Sequence, residues 1–466
     1  MKENSFVSAD DIRSAFSAAM SAMYREEVPA YGTLMELVAK VNAETLATDA
    51  VLKRRLQATD SLDRISEERH GAIRLGTPAE LSTMRRVFAV MGMYPVGYYD
   101  LSTAGVPVHS TAFRPVGDAA LKRNPFRVFT SLLRLELIAD VKLRAEAEAI
   151  LGERNIFMPG AIELTEKAER DGGLDKADAE RFVAEALETF RWHDKANVSA
   201  DMYTRLHDAH RLIADVVSFK GPHINHLTPR TLDIDRVQAL MPEYGIAPKA
   251  VVEGPPTRNC PILLRQTSFK ALEEPVSFQD GDGGWKIGSH TARFGEIEQR
   301  GIALTPKGRG LYDRLLDQSR KIVRPAADGS NAAQYEAALA EAFGAFPDSW
   351  AEIREAGLGY FSYSLTEKGR QTKVTGNLDL GSLIADGLVQ FDPIVYEDFL
   401  PVSAAGIFQS NLGDGAQQDF VASPNQKRFE ADLGVAVLNE FDHYAGIERA
   451  SIGSCLRALS AAMAAE

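Results

Sequence analysis

Two regions of short apolar runs broken by glycine and proline, Arg69 to Pro115 and Gly221 to about Gly301, are separated by a long stretch of helical periodicity. No other feature constrains the fold as strongly. Short apolar runs between turn residues read as strands, and apolar residues at three- and four-residue spacing read as helices. A sheet built from these two regions must be assembled by chain segments distant in sequence. The class predicted is α+β, with helices inserted between the two contributions to the sheet. The boundaries drawn from this texture are N-terminal helices at 1–60, sheet at 61–125 and 218–302, and a helical insertion at 129–217. A helical block at 303–357 and a mixed segment at 358–466 follow.

Local signals fill in that outline. Ser8 is placed to cap a helix in which Ile12, Phe16, Met20 and Met23 recur on one face, and Leu34, Leu37 and Val41 mark a second helix. Leu132 to Leu143 reads as a helical segment, Phe182, Ala186, Leu187 and Phe190 mark the face of another, and Gly172 and Gly173 separate two helices. The acidic, glycine-rich "QDGDGGWKIG" reads as an exposed hairpin tip.

Charge and cysteine content narrow the function. A formal net charge of -13 argues against nucleic acid or an anionic membrane as the main partner, because both attract basic surfaces. No apolar run approaches the roughly 20 residues of a bilayer-spanning helix, and "MKENSFVSADD" lacks the apolar stretch of a secretory signal, so a cytoplasmic protein is expected. The two cysteines, Cys260 and Cys455, are too few for a disulfide framework or a cysteine zinc site. Any metal must be held by nitrogen and oxygen. The sequence also lacks the phosphate-loop, dinucleotide, serine-elbow and H-E-x-x-H patterns.

Nine histidines carry the remaining information. In "FKGPHINHLTPRTLDID", His223 and His226 are three apart, but Gly221, Pro222 and Pro229 favour an extended backbone, so the two rings point to opposite sides. One can face a site while the other makes a local hydrogen bond, and spacing does not choose between them. In "ERHGAIRLG", His70 and Arg74 share a face in either a strand or a helix. A neutral imidazole beside a guanidinium suits a metal-bound carboxylate, although a capping histidine and a surface arginine give the same spacing. In "HTARFGEIEQRG", Glu296 and Glu298 fall on one strand face with Phe294, where a cation would offset the cost of burying carboxylates. An exposed acidic strand face is the competing reading. His207 and His210 share a helical face without a tied carboxylate motif, and His109 in "PVHST" is a candidate for a supporting hydrogen bond.

Taken together, "ERHGAIRLG", "MGMYPVGYYDLSTAGVPVHSTAFRP", "FRVFTSLLRLELI", "FKGPHINHLTPRTLDID", "VVEGPPTRNCPILLRQTSFKAL", "SHTARFGEIEQRG" and "YEDFLPVSAAGIFQSNLG" resemble the 2-oxoadipate dioxygenase/decarboxylase family, the D-2-hydroxyglutarate synthases of bacterial lysine breakdown. The resemblance runs over nearly the whole chain. It implies one elaborated catalytic domain over 1–466, with a partly closed β-barrel similar to vicinal oxygen chelate enzymes and the 358–466 segment completing the site. It implies Fe(II) held by His70, His226 and Glu296, with Glu298 as the alternative carboxylate. It also implies that Arg74 grips the substrate, that Val402 and Ser403 contact it, and that His223 is supportive. Arg265 is a candidate for the distal carboxylate.

Two histidines and one carboxylate leave positions on Fe(II) open for a 2-oxo acid and dioxygen. The activity implied is conversion of 2-oxoadipate and O2 to D-2-hydroxyglutarate and CO2, by decarboxylation and hydroxylation within one substrate. Two other classes fit the same residues: a zinc or manganese hydrolase or isomerase, and a non-catalytic protein that binds 2-oxo acids.

Overall fold

The computed structural model describes residues 6–58, 62–67, 69–269, 273–280, 283–291, 293–326, 329–372, 379–400 and 424–461. Ser8 caps the first helix, Ala9–Glu27, by accepting from the Asp11 N–H, and Ile12, Phe16, Met20 and Met23 are all buried on its inner face. Helix Pro29–Thr48 buries Leu34, Leu37 and Val41 in the same core. Arg13 is also fully buried. It donates to the carbonyls of Asn124, Met91 and Ala120 at 2.8, 2.9 and 2.8 Å and pairs with Asp10 at 2.7 Å, so its charge is hydrogen-bonded on all sides.

The chain forms two compact units. One comprises Met1–Glu253, Gln266–Gln299 and Phe399–Val437; the other comprises Gly254–Arg265, Arg300–Asp398 and Leu438–Glu466. The strands in chain order are β1 Arg69–Leu75, β2 Tyr94–Asp100, β3 Val108–Arg114, β4 Arg127–Leu133, β5 Lys195–Ser199, β6 Leu227–Pro229, β7 Leu264–Ser268, β8 Glu274–Gln279, β9 Trp285–His290, β10 Glu296–Arg300, β11 Phe361–Leu365 and β12 Val389–Pro393.

The first unit is organised on a five-stranded sheet in the order β2-β3-β4-β1-β6, with β1 and β4 parallel and the other pairs antiparallel. Every residue of β1, β3 and β4 is buried, because the sheet is covered on both faces. On one face Ile73, Leu75, Phe113, Val128 and Leu132 join a large core with the N-terminal helices. On the other, Ala72, Ala112 and Phe129 join a second core with Leu143 and Leu151 of helix Val141–Glu153 and with Leu212, Ile213 and Val216 of helix Arg211–Ser218. His70 and Arg74 lie on this second face, in register with Arg127 and Ser131 of β4.

One sequence expectation is corrected. Phe129–Leu133, read as the start of the helical insertion, belongs to β4. A strand buried on both faces shows a continuous apolar run and loses the alternation that marks a strand. The rest of the insertion is mainly helical, apart from β5.

β5, β8 and β9 form a second sheet, with β8 and β9 pairing as the antiparallel hairpin that "QDGDGGWKIG" signals; β7 and β10 form a two-stranded sheet. The second unit carries helices Pro306–Ile322, Ala332–Phe343, Trp350–Glu355 and Glu440–Ala461 and the antiparallel pair β11 and β12. Helices and several sheets are therefore mixed as expected, and no described sheet closes on itself. Among the described residues no helix is long and apolar enough to cross a membrane.

Candidate metal centre

Three chain segments meet on the second face of the large sheet. His70 comes from β1, His226 from the extended segment just before β6, and Glu296 from the start of β10. Glu296 Oε2 lies 3.1 Å from His70 Nε2 and 3.0 Å from His226 Nδ1, and accepts from Thr228 Oγ1 at 2.8 Å. All three side chains are fully buried. One potential ligand atom from each lies within 4.8 Å of the others, and no second group of this kind occurs among the described residues.

The backbone is built to allow this approach. A Cβ on Gly71 would sit 2.4 Å from Ile224 Cδ1 and 3.0 Å from the His226 carbonyl, so only glycine lets the His226 segment lie against β1. The buried Tyr24 hydroxyl, from the first helix, lies 2.8 Å from the Phe294 carbonyl and 3.2 Å from the Asn225 carbonyl. Those residues flank Glu296 and His226, and the Phe294 N–H donates to the Asn225 carbonyl at 3.1 Å. The first helix thus fixes two of the three donor segments.

Glu296 and Glu298 share a face, as strand alternation requires, yet occupy different positions. Glu298 Oε2 lies 3.1 Å from His70 Nδ1, on the far side of the ring from Glu296, and its other oxygen is 3.7 Å from Arg127 Nη1. Glu296 meets both histidines; Glu298 orients one of them, the arrangement that fixes the tautomer of a metal-binding imidazole.

Electrostatics and satisfaction of polar groups both fit a cation. Burial pushes Glu296 towards the neutral form, but His226 and His70 outweigh it and hold the carboxyl well below its usual range. Burial dominates at His226 and lowers it, favouring the neutral, ligand-competent ring. At His70 burial is outweighed by Glu298 and Glu296, which lift it above the ordinary value: two carboxylates around this ring call for positive charge. Glu296 Oε1 and His226 Nε2 lack hydrogen-bond partners although buried. Such orphaned groups are costly, and a metal ion accepting lone pairs here would remove part of that cost. Phe399 packs edge-on to His70 at 4.9 Å between ring centroids and Phe294 lies 4.8 Å from His226, so the surroundings are apolar.

Arg74 lies on the same face of β1, and its guanidinium Nη1 meets Asp215 Oδ2 at 2.6 Å, both groups being nearly buried. Asp215 Oδ1 lies 2.9 Å from His290 Nε2 and 3.4 Å from His223 Nε2. Burial opposes ionisation of Asp215, but Arg74, His223 and His290 hold it well below the usual carboxylate range. His223 and His226 therefore diverge as the extended backbone predicts, one towards Asp215 and the other towards Glu296.

Other candidates lie elsewhere. His109 sits opposite Leu132 in the β3–β4 register, so it faces away from His70 and packs on Phe429 instead of supporting the centre. His210 caps helix Arg211–Ser218, while His207 is exposed and stacks on Tyr203, so they do not form a chelating pair. Arg265 is buried in the second unit, where its Nε donates to the Pro255 carbonyl. Val402 and Ser403 lie outside the described residues. Sequence reasoning missed Asp215, Arg127, Thr228 and Tyr24. Only Asp215 left a signal: a lone carboxylate inside the apolar run "RLIADVVSF" needs a buried partner.

Two imidazoles and one carboxylate, converging in an apolar site with an arginine on the same strand, define a candidate mononuclear metal enzyme of the two-histidine, one-carboxylate class. Comparison with known proteins gives the family. A sequence model of the 2-oxoadipate dioxygenase/decarboxylase family matches residues 16–411, and the chain belongs to this family. It is 59% identical over 468 residues to the 2-oxoadipate dioxygenase/decarboxylase of Pseudomonas putida, covering 99% of both chains. It is 57% identical over 452 residues to that of Escherichia coli, covering 96% of this chain and 98% of the relative. The crystal structure of the Pseudomonas putida hydroxyglutarate synthase in complex with 2-oxoadipate superposes with a TM-score of 0.90 at 57% identity, covering 97% of this chain and 99% of that one.

Proposed function

We propose that this protein is a cytoplasmic Fe(II)-dependent dioxygenase that converts 2-oxoadipate and O2 to D-2-hydroxyglutarate and CO2 in lysine breakdown. The observation that carries the proposal is the buried convergence of His70, His226 and Glu296 in a chain of this family. Relatives and a solved neighbour bear the names of this activity and this substrate.

His70, His226 and Glu296 would hold the iron. When bound, ferrous iron supplies the redox chemistry that lets dioxygen react with a 2-oxo acid. Glu298 holds His70 through its second nitrogen, and Phe399 and Phe294 keep water from the rings. Arg74 supplies a guanidinium for a substrate carboxylate, with Asp215 fixing its orientation, and Val402 and Ser403 belong to the substrate-contacting segment. The atoms balance without a second oxo acid: as the substrate's own carboxyl leaves as CO2, one atom of O2 enters the carboxylate formed from the keto carbon and the other the new hydroxyl, and all the electrons come from 2-oxoadipate.

The finer architecture belongs to the same proposal: one catalytic domain with a partly closed barrel of the vicinal oxygen chelate kind. Its support is the arrival of the donors on β1, beside β6 and on β10, and a family match that spans residues 16–411. Anaerobic loading with ferrous iron, then addition of 2-oxoadipate and air, tests the function. Oxygen uptake should equal CO2 release, with hydroxyglutarate as product. Turnover without oxygen uptake, or none, rejects it.

A further inference from the structure

Away from the metal centre, one cavity of about 350 Å³ combines polar walls with a cationic side chain, Arg211. Tyr203 and His207 of helix Ala200–Ala209 line it, with Arg211 from the next helix and Ser289, His290 and Thr291 at the end of β9. None of the described residues lining it is acidic. Arg211 is exposed and makes no ion pair or hydrogen bond among the described residues. The His210 ring caps its helix by accepting from the Leu212 N–H at 3.1 Å, which sets Arg211 at the first helical position. A cation there opposes the helix dipole.

The cavity wall leads to the substrate-gripping arginine in two steps. His290 Nδ1 lies 2.7 Å from the Tyr203 hydroxyl, and its Nε2 is 2.9 Å from Asp215, which pairs with Arg74 at 2.6 Å. A chain with a net charge of -13 repels a dianion in solution, so capture of such a substrate needs local positive charge.

We propose that this cavity is a carboxylate-receiving vestibule, in which Arg211 captures a small aliphatic dicarboxylate before it reaches Arg74. The inference rests on the function proposed above, and its ligand chemistry is a carboxylate dianion. Replacing Arg211 leaves the metal centre and Arg74 intact.

Arg211→Gln and Arg211→Lys test it in the iron-loaded enzyme. Arg211→Gln should lower kcat/KM for 2-oxoadipate about tenfold through KM, with kcat unchanged, and flatten its dependence on ionic strength. Arg211→Lys should keep parental values. An Arg211→Gln enzyme with parental kcat/KM and salt dependence overturns the proposal, as does an Arg211→Lys enzyme as impaired as Arg211→Gln. Calorimetric titration with adipate, under anaerobic conditions, separates this inference from the function itself. If the parent does not turn over 2-oxoadipate, the function falls, and adipate binding decides the cavity. Binding weakened about tenfold by Arg211→Gln and preserved by Arg211→Lys supports the vestibule; equal binding, or none to the parent, overturns it.

Discussion

Glu298→Gln separates the two glutamates that strand alternation leaves equivalent. Glu298 is fully buried, with one oxygen 3.1 Å from His70 Nδ1 and the other 3.7 Å from Arg127. Glutamine keeps its shape but removes the charge that orients the ring. Altering such an outer partner of a ligating histidine costs about 10–100-fold in metal affinity, equivalent to about 1.4–2.8 kcal/mol at roughly 1.4 kcal/mol per decade. Glu296→Gln is different in kind, because it removes the carboxylate that both histidines meet and should leave no stoichiometric metal. The assay is anaerobic competition for ferrous iron against a calibrated chelator, with thermal unfolding of both metal-free variants to confirm that they fold. If Glu298→Gln strips the metal while Glu296→Gln keeps it, the ligand assignment is reversed and the reasoning fails.

Arg74→Ala should abolish turnover while bound metal is retained. It also takes from the buried Asp215 its guanidinium partner, leaving only His290 and His223 beside it, a loss of up to about 3–5 kcal/mol by denaturant unfolding; adding Asp215→Asn should restore stability but not activity, and full turnover by Arg74→Ala refutes its assigned role. The depressed Asp215 pKa means that its ion pair contributes stability above about pH 4 and loses it as pH falls through the lower folded value. Parent and Asp215→Asn stabilities should therefore converge on acidification below about pH 4, and a constant gap counts against the pairing. Gly71→Ala introduces a methyl 2.4 Å from Ile224 Cδ1, an overpacking cost of about 1–3 kcal/mol, and should weaken metal retention by displacing the His226 segment. Unchanged chelator competition would show that this close approach is dispensable.

Much of the site was legible because strand geometry is periodic. His70 and Arg74 on one face, the divergence of His223 from His226, and the shared face of Glu296 and Glu298 all follow from side-chain alternation. Periodicity fails where both faces are covered, and so Phe129–Leu133 was read as helical although Arg127–Leu132 pairs with β1. It also gives no ranking between equivalent positions. Glu296 and Glu298 approach different nitrogens of His70, and Glu296 meets His226 where Glu298 lies by Arg127, which a one-dimensional pattern cannot display. Asp215 was legible in principle, as a charge amid apolar neighbours, but its partner lies 141 positions away on β1. His109 misled because a loop-rich context says nothing about which side of the sheet a ring will occupy.

The Tyr24 tether has a bearing on the order of events in biosynthesis. His70 leaves the ribosome 226 positions ahead of Glu296, and the helix that clamps the later donors precedes all three in the chain. Of this donor set, an emerging polypeptide therefore holds only the two imidazoles until Glu296 has been added. The complete donor set is thus available only to a chain made past Glu296.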